Sequence, residues 1–159
     1  MILLAVHSEN GYIKREGSKV GQVFAEITLK NAGDITLAEH GYKQEQDIRQ
    51  TTVNILVDTG AGTLVITEAL QQELGLKTRK AKPVRMANSD PVNVQEADPV
   101  EVHWKDRSMV CCPWVVPGAD KSLLGLIPLE DMDLMVDPNG QEVVGAHGRE
   151  AVGILYCLQ

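Results

Sequence analysis

Val53-Asn54-Ile55-Leu56-Val57-Asp58-Thr59-Gly60-Ala61 is an apolar strand that ends on a carboxylate and a glycine turn. From Thr51 the pattern has period two: Thr51, Val53, Ile55 and Val57 share one face, and Asn54, Leu56 and Asp58 share the other. The strand delivers Asp58 into a turn whose parts suit a demanding chemistry. Water can cut a peptide bond when one carboxylate accepts its proton and a second carboxyl donates to the carbonyl oxygen. Two carboxyls about 3 Å apart share a proton and titrate as a pair. Holding them that close takes a rigid loop. Gly60 permits an unusual backbone and close approach of a neighbouring chain, and the Thr59 hydroxyl can fix the turn. An Asp-Ser/Thr-Gly triplet arises by chance in roughly one chain of this length in fifteen. Its surroundings must therefore separate chemistry from a plain strand-end turn.

Upstream, Val23, Ala25, Ile27 and Leu29 alternate with Phe24, Glu26, Thr28 and Lys30, a half-buried strand. Asn31-Ala32-Gly33-Asp34 reads as a turn, and polar residues 35–50 as an excursion from a hairpin. Downstream, Thr63-Leu64-Val65-Ile66 is a short β-branched run. Thr67 is the N-cap of a helix over Glu68–Leu74, with Gly75 just past its end. Val84 and Met86 lead into Ala87-Asn88-Ser89-Asp90-Pro91, and Val92 and Val94 lead away, a hairpin tipped at Asn88–Asp90. Val100, Val102 and Trp104 form a strand that turns at Lys105-Asp106-Arg107. Met109–Val116 is another, interrupted by Pro113. Ser122-Leu123-Leu124-Gly125-Leu126-Ile127 precedes Pro128, which suits the first turn of a helix over Leu129–Met132. Leu134–Asp137 is a strand turned by Pro138-Asn139-Gly140, and Val152–Leu158 a last one. Residues 1–20 stand apart as an N-terminal extension: an extra hairpin, a frayed arm, or the product of an upstream start codon. The domain proper is expected over 21–159. Many short strands with one or two short helices predict a small closed or sandwiched all-β fold.

The sequence from residue 21 to about 140 resembles the retropepsin-like aspartic proteases, the family of the retroviral proteases and their bacterial relatives. In that family an Asp-Thr/Ser-Gly-Ala motif follows such a strand, a mobile hairpin (the flap) comes next, and two apolar residues plus Gly then pass behind the catalytic loop and open a helix. Leu123-Leu124-Gly125 fits that second motif, and residues 124–138 resemble bacterial members. The resemblance implies a small closed β-barrel of acid-protease type. It implies that Asp58 is the catalytic carboxylate and that Thr59 ties two active-site loops together. Gly60 and Ala61 would line the floor beside substrate backbone, and Met86, Ala87, Asn88, Ser89 and Asp90 would form the flap. Only one Asp-Thr/Ser-Gly is present, because Asp137 is followed by Pro138 and reads as a turn. The second carboxylate must come from a second copy, so the enzyme reading requires a homodimer. Asn88-Ser89 stands at the tip where relatives usually carry glycine; Asn tolerates a left-handed turn. Gly62-Thr63 stands where many viral members have acidic residues.

Composition narrows the alternatives. The 159 residues carry 15 Lys and Arg against 22 Asp and Glu, a net charge of −7, with 4% aromatic residues. That excludes a general phosphate-backbone binder and gives no base-stacking platform, so no nucleic-acid partner is expected. It also disfavours anionic lipid, and nothing approaches the ~20 apolar residues of a membrane span. Cys111, Cys112 and Cys157 are odd in number and no disulfide framework, which points to reduced thiols and a cytoplasmic location. His103, Cys111 and Cys112 fit no zinc spacing; buried thiols explain the pair better. His7, His40 and His147 lie in polar stretches and read as solvated, as do Glu130, Asp131 and Asp133. Gly60-Ala61-Gly62 lacks the third glycine of a dinucleotide loop, and Ser122 lacks a nucleophile elbow.

The leading reading is a homodimeric aspartic endopeptidase acting on a peptide or protein, with no metal or organic cofactor. A second reading is a catalytically silent dimer of the same fold that binds peptides or partner proteins. A third is a β-barrel interaction domain with a chance triplet.

Overall fold

Alternation between residues 23 and 57 becomes the central hairpin of the structure, β1 (Val23–Asn31) against β2 (Gln50–Val57), antiparallel from Val23↔Val57 to Lys30↔Gln50. The computed structural model describes residues 21–85 and 91–148. The expected extension over 1–20, the hairpin tip Met86–Asp90 and the expected last strand lie outside them. β1 alternates buried and partly exposed positions along its whole length, as one buried face requires.

The remaining strands follow in order: β3 (Val65–Ile66), β4 (Thr78–Val84), β5 (Val92–Ala97), β6 (Val100–Trp104), β7 (Arg107–Cys111), β8 (Trp114–Val115) and β9 (Leu123–Leu124). With β1 and β2 they make one nine-stranded sheet in the order β4-β5-β8-β3-β9-β2-β1-β6-β7. β10 (Leu134–Asp137) and β11 (Glu142–Gly145) form a separate hairpin. Pro113 separates β7 from β8, as its missing N–H dictates.

One core holds the sheet together. Ile27 and Leu29 of β1, Ile55 of β2, Ile66 of β3, Val100 and Val102 of β6, Val115 of β8 and Leu124 of β9 are all buried in a single cluster. Strands at distant places in the ladder reach that cluster because the sheet curls into a half-barrel. The all-β class is as expected, and among the described residues β4 and β7 are the two end strands of the ladder. Five of the seven residues of β4 are exposed.

Three short α-helices are present among the described residues, one more than expected. α2 (Glu68–Glu73) is capped by the Thr67 hydroxyl, which accepts from Leu70 N, and is followed by Gly75 at φ +62°. α3 (Leu126–Asp131) starts at Leu126, two residues before Pro128. The addition is α1 (Ala32–Glu39), where a turn and a polar excursion were expected. The same residue types serve both structures: the Asn31 side chain accepts from Asp34 N and caps a helix. α1 has no apolar stripe, and Asp34 is its one fully buried residue.

Candidate active site

Asp58 emerges half-buried from the end of β2, in a loop held almost wholly by backbone. β9 lies parallel to β2, with Leu56 opposite Leu123 and Val57 opposite Leu124. The Asp58 N–H donates to the Leu124 carbonyl at 3.0 Å, and the Ala61 N–H donates to the Asp58 carbonyl at 3.0 Å. Past Gly125, Leu126 N donates to Ala61 O at 2.8 Å and Ile127 N to Gly62 O at 3.2 Å. The loop 58–62 is thus clamped by one segment, residues 124–127.

Gly125 makes the clamp possible. A Cβ there would sit 2.2 Å from the Thr63 carbonyl oxygen and 2.6 Å from that of Ala61, both immovable backbone. Only a residue without a side chain lets the two segments approach this closely. Leu123, Leu124 and Gly125 are therefore brought against Asp58, Thr59, Gly60 and Ala61 in one corner. Ser122, just upstream, accepts from Thr67 N through its Oγ at 3.2 Å and fixes the start of α2.

Within this corner the Asp58 carboxylate has one recorded hydrogen bond, Oδ1 accepting from Gly60 N at 2.9 Å. No Lys, Arg or His of the described residues pairs with it. Thr59 and Gly60 beside it are exposed, and so are Leu126 and Ile127, at 41% and 56%. Exposed apolar side chains thus stand on the segment that clamps the Asp58 loop. Met86–Asp90 join β4 to β5, whose last described pair is Val84↔Val92. Asp137 lies in the β10–β11 hairpin, where Oδ1 accepts from Asn139 N at 2.9 Å, the turn role expected of it.

Two charged clusters escaped the sequence reading. Asp34 is buried and receives both Arg49 Nε and Nη2 at 2.7 Å and Lys43 Nζ at 2.9 Å. The Arg49 guanidinium, ahead of Lys43, holds its carboxyl well below the usual carboxylate range. Asp133 and His147, expected to be solvated, face each other, and Asp133 also receives the buried Arg107. The hydrogen bond from His147, and then Arg107, lowers the Asp133 carboxyl. The partners lie 26 and 14 residues apart, so no local pattern announces them. Cys111 is a half-buried thiol pushed up to about 12, chiefly by burial. Among the described residues no three His, Cys, Asp or Glu gather as metal ligands.

The model of the family described as "gag-polyprotein putative aspartyl protease" matches residues 45–131, more than half of the chain. No match is found among curated proteins. Among solved structures, the chain is similar to the retroviral protease-like domain of Ddi1 from Leishmania major, at 15% identity and a TM-score of 0.50, over 79% of this chain and 89% of that one. It is also similar to EIAV protease complexed with the inhibitor HBY-793 (19% identity, TM-score 0.47, 75% and 93% covered). A retropepsin-like aspartic protease from Rickettsia conorii is a third (18%, 0.43, 76% and 88%). The Leishmania domain shares the fold.

Proposed function

The chain belongs to the gag-polyprotein aspartyl protease family, and on that premise we propose that it is an aspartic endopeptidase whose active site forms between two copies. The observation that carries this reading is the Asp58 loop, a backbone-clamped turn that presents a carboxylate paired with no cation among the described residues. One chain supplies one such loop. A second copy related by a two-fold axis supplies the other, bringing the two Asp58 carboxyls together. The exposed Leu126 and Ile127 suit that face, because apolar side chains left open on one copy can be covered by the other.

In this mechanism one Asp58 is ionised and its partner copy is protonated. The ionised carboxylate takes a proton from water as the water oxygen bonds to the peptide carbonyl carbon. The other carboxyl gives its proton to the carbonyl oxygen. The tetrahedral intermediate then collapses: the C–N bond breaks, the amine nitrogen takes up a proton, and a new carboxyl and amine leave. Gly60 and Ala61 lie beside the substrate backbone, and Met86–Asp90 are assigned the flap.

The test is cleavage of a mixed peptide library at several pH values by the parent and by Asp58→Asn, with particle mass measured on the same samples. The parent is expected to be dimeric and to cut. Asp58→Asn is expected to keep the dimer and lose about a thousandfold in rate. A strictly monomeric parent, or equal cutting by the variant, sinks the reading. Peptide binding by both proteins with no cutting by either moves the assignment to a binding module.

A further inference from the structure

β4 is an end strand of the nine-stranded sheet: β5 pairs one side, and no described strand pairs the other. An edge strand offers a row of open N–H and C=O groups to any extended chain. The charge along this edge departs from that of the rest of the molecule. Residues 77–85, Lys-Thr-Arg-Lys-Ala-Lys-Pro-Val-Arg, contain Lys77, Arg79, Lys80, Lys82 and Arg85 and no acid. The rest of the chain holds ten basic residues against 22 acidic ones.

These five cations divide into two sets. Lys80 and Lys82 both bind Glu96 on β5, at 3.3 and 3.0 Å, and Lys82 also lies 4.6 Å over the Trp114 ring. Lys77, Arg79 and Arg85 are exposed, and none pairs with a carboxylate among the described residues. Arg79 reaches the Cys112 sulfur at 3.9 Å, and Asp98 takes the backbone N–H of Lys77 rather than its ammonium. Lysines and a proline on an edge also deter self-association. Charge of either sign meets that need, so a fivefold choice of the minority sign calls for a different cause. Opposite charge on a partner is the straightforward one.

Resting on the peptide-cleaving reading, we propose that the outer edge of β4 docks an extended acidic segment of the substrate. Main-chain groups add the segment as a further strand, and Lys77, Arg79 and Arg85 hold its carboxylates. Seven residues of strand span about 24 Å, enough for a peptide of similar length. The few aromatic residues and the acidic remainder of the chain favour a peptide over a nucleic acid as the occupant.

Fluorescence anisotropy on the full chain carrying Asp58→Asn, so that nothing is cut, tests this. The probes are a labelled Glu-rich peptide, the same peptide with Gln for Glu, and a single-stranded RNA of equal length. The Glu peptide is expected to bind about tenfold tighter than the Gln peptide, and the gap to shrink as salt rises. Lys77→Ala, Arg79→Ala and Arg85→Ala together are expected to erase the gap with thermal unfolding unchanged. Equal affinity for the two peptides, including none for either, overturns the proposal, as does a preference that survives the triple substitution. Tighter binding of RNA than of the Glu peptide also overturns it. Cleavage without any acidic preference defeats this inference alone, whereas an acidic preference in a chain that never cuts defeats only the protease reading.

Discussion

Asp34 and Asp58 each follow a strand of the central hairpin, Asp34 in the first turn of α1 and Asp58 in the loop after β2, yet they are built in opposite ways. Asp34 is buried, and both of its oxygens are occupied by Arg49 and Lys43. Asp58 is half-buried, and its recorded partner is the N–H of Gly60 two residues on. The Asp34 corner is made of side-chain charge, and its backbone geometry follows from it: Arg49 N also donates to Asp34 Oδ2 at 3.0 Å, and Arg49 lies where a side chain on Gly75 would be. The Asp58 corner is made of backbone, and its charge is left over. A carboxylate neutralised in its own chain can only hold structure. A carboxylate positioned by peptide groups keeps its other oxygen open to an incoming molecule.

The contrast can be broken most violently at Gly125. Gly125→Ala drives a methyl into the Thr63 and Ala61 carbonyls and is expected to cost about 3 kcal/mol in urea unfolding, with loss of cleavage. Gly62→Ala in the same loop meets nothing within 4 Å and should stay within about 0.5 kcal/mol of the parent. If the two alanines cost the same, the clamp is not what positions Asp58.

A smaller effect is expected at the charged corner. Asp34→Asn strips Arg49 and Lys43 of their counter-charge and is expected to cost about 2 kcal/mol at neutral pH. The sign of its pH dependence follows from linkage. The folded carboxyl is held below its ordinary value of 3.8, so its stabilisation is complete above that value and drains away as pH falls below it. Urea midpoints measured from pH 7 down to strong acid should converge for parent and variant. Curves that stay parallel would show that the Asp34 charge contributes nothing.

The smallest effect is the sharpest. Asp58→Asn keeps an oxygen to accept from Gly60 N, and stability should change by less than about 0.5 kcal/mol while cleavage falls about a thousandfold. A loss above about 1 kcal/mol would mean that Asp58 also holds structure, and the contrast with Asp34 would fail.

The same contrast governs what could be read in the sequence. The Asp58 loop was legible because its parts are local: an alternating strand, a glycine turn, and a second motif that itself reads as strand, glycine and helix. α2 was legible from Thr67 and Gly75, and the β7–β8 break from Pro113, since each residue acts on its own backbone. α1 was not. No apolar face marks it, and what secures it is Asp34 reaching Arg49 15 residues away. Asp133 is less exposed than expected for the same reason, because Arg107 reaches it from β7, 26 residues away, whereas His147 is exposed as expected. Strand order was legible only at β9, a late segment inserted between β2 and β3, where the resemblance places Leu123-Leu124-Gly125 behind the Asp58 loop; the parallel pairing of β3 with β8 has no local signal.

That insertion also orders events in time. Val57 pairs with Leu124 and Asp58 N–H with the Leu124 carbonyl, so the loop closes only through a contact spanning well over a third of the chain. Contacts of such sequence separation form late, after the entropy of a long loop has been lost. During synthesis the Asp58 turn emerges long before the segment that clamps it. A nascent chain can therefore carry the acid and its glycine turn before it carries the segment that fixes their geometry.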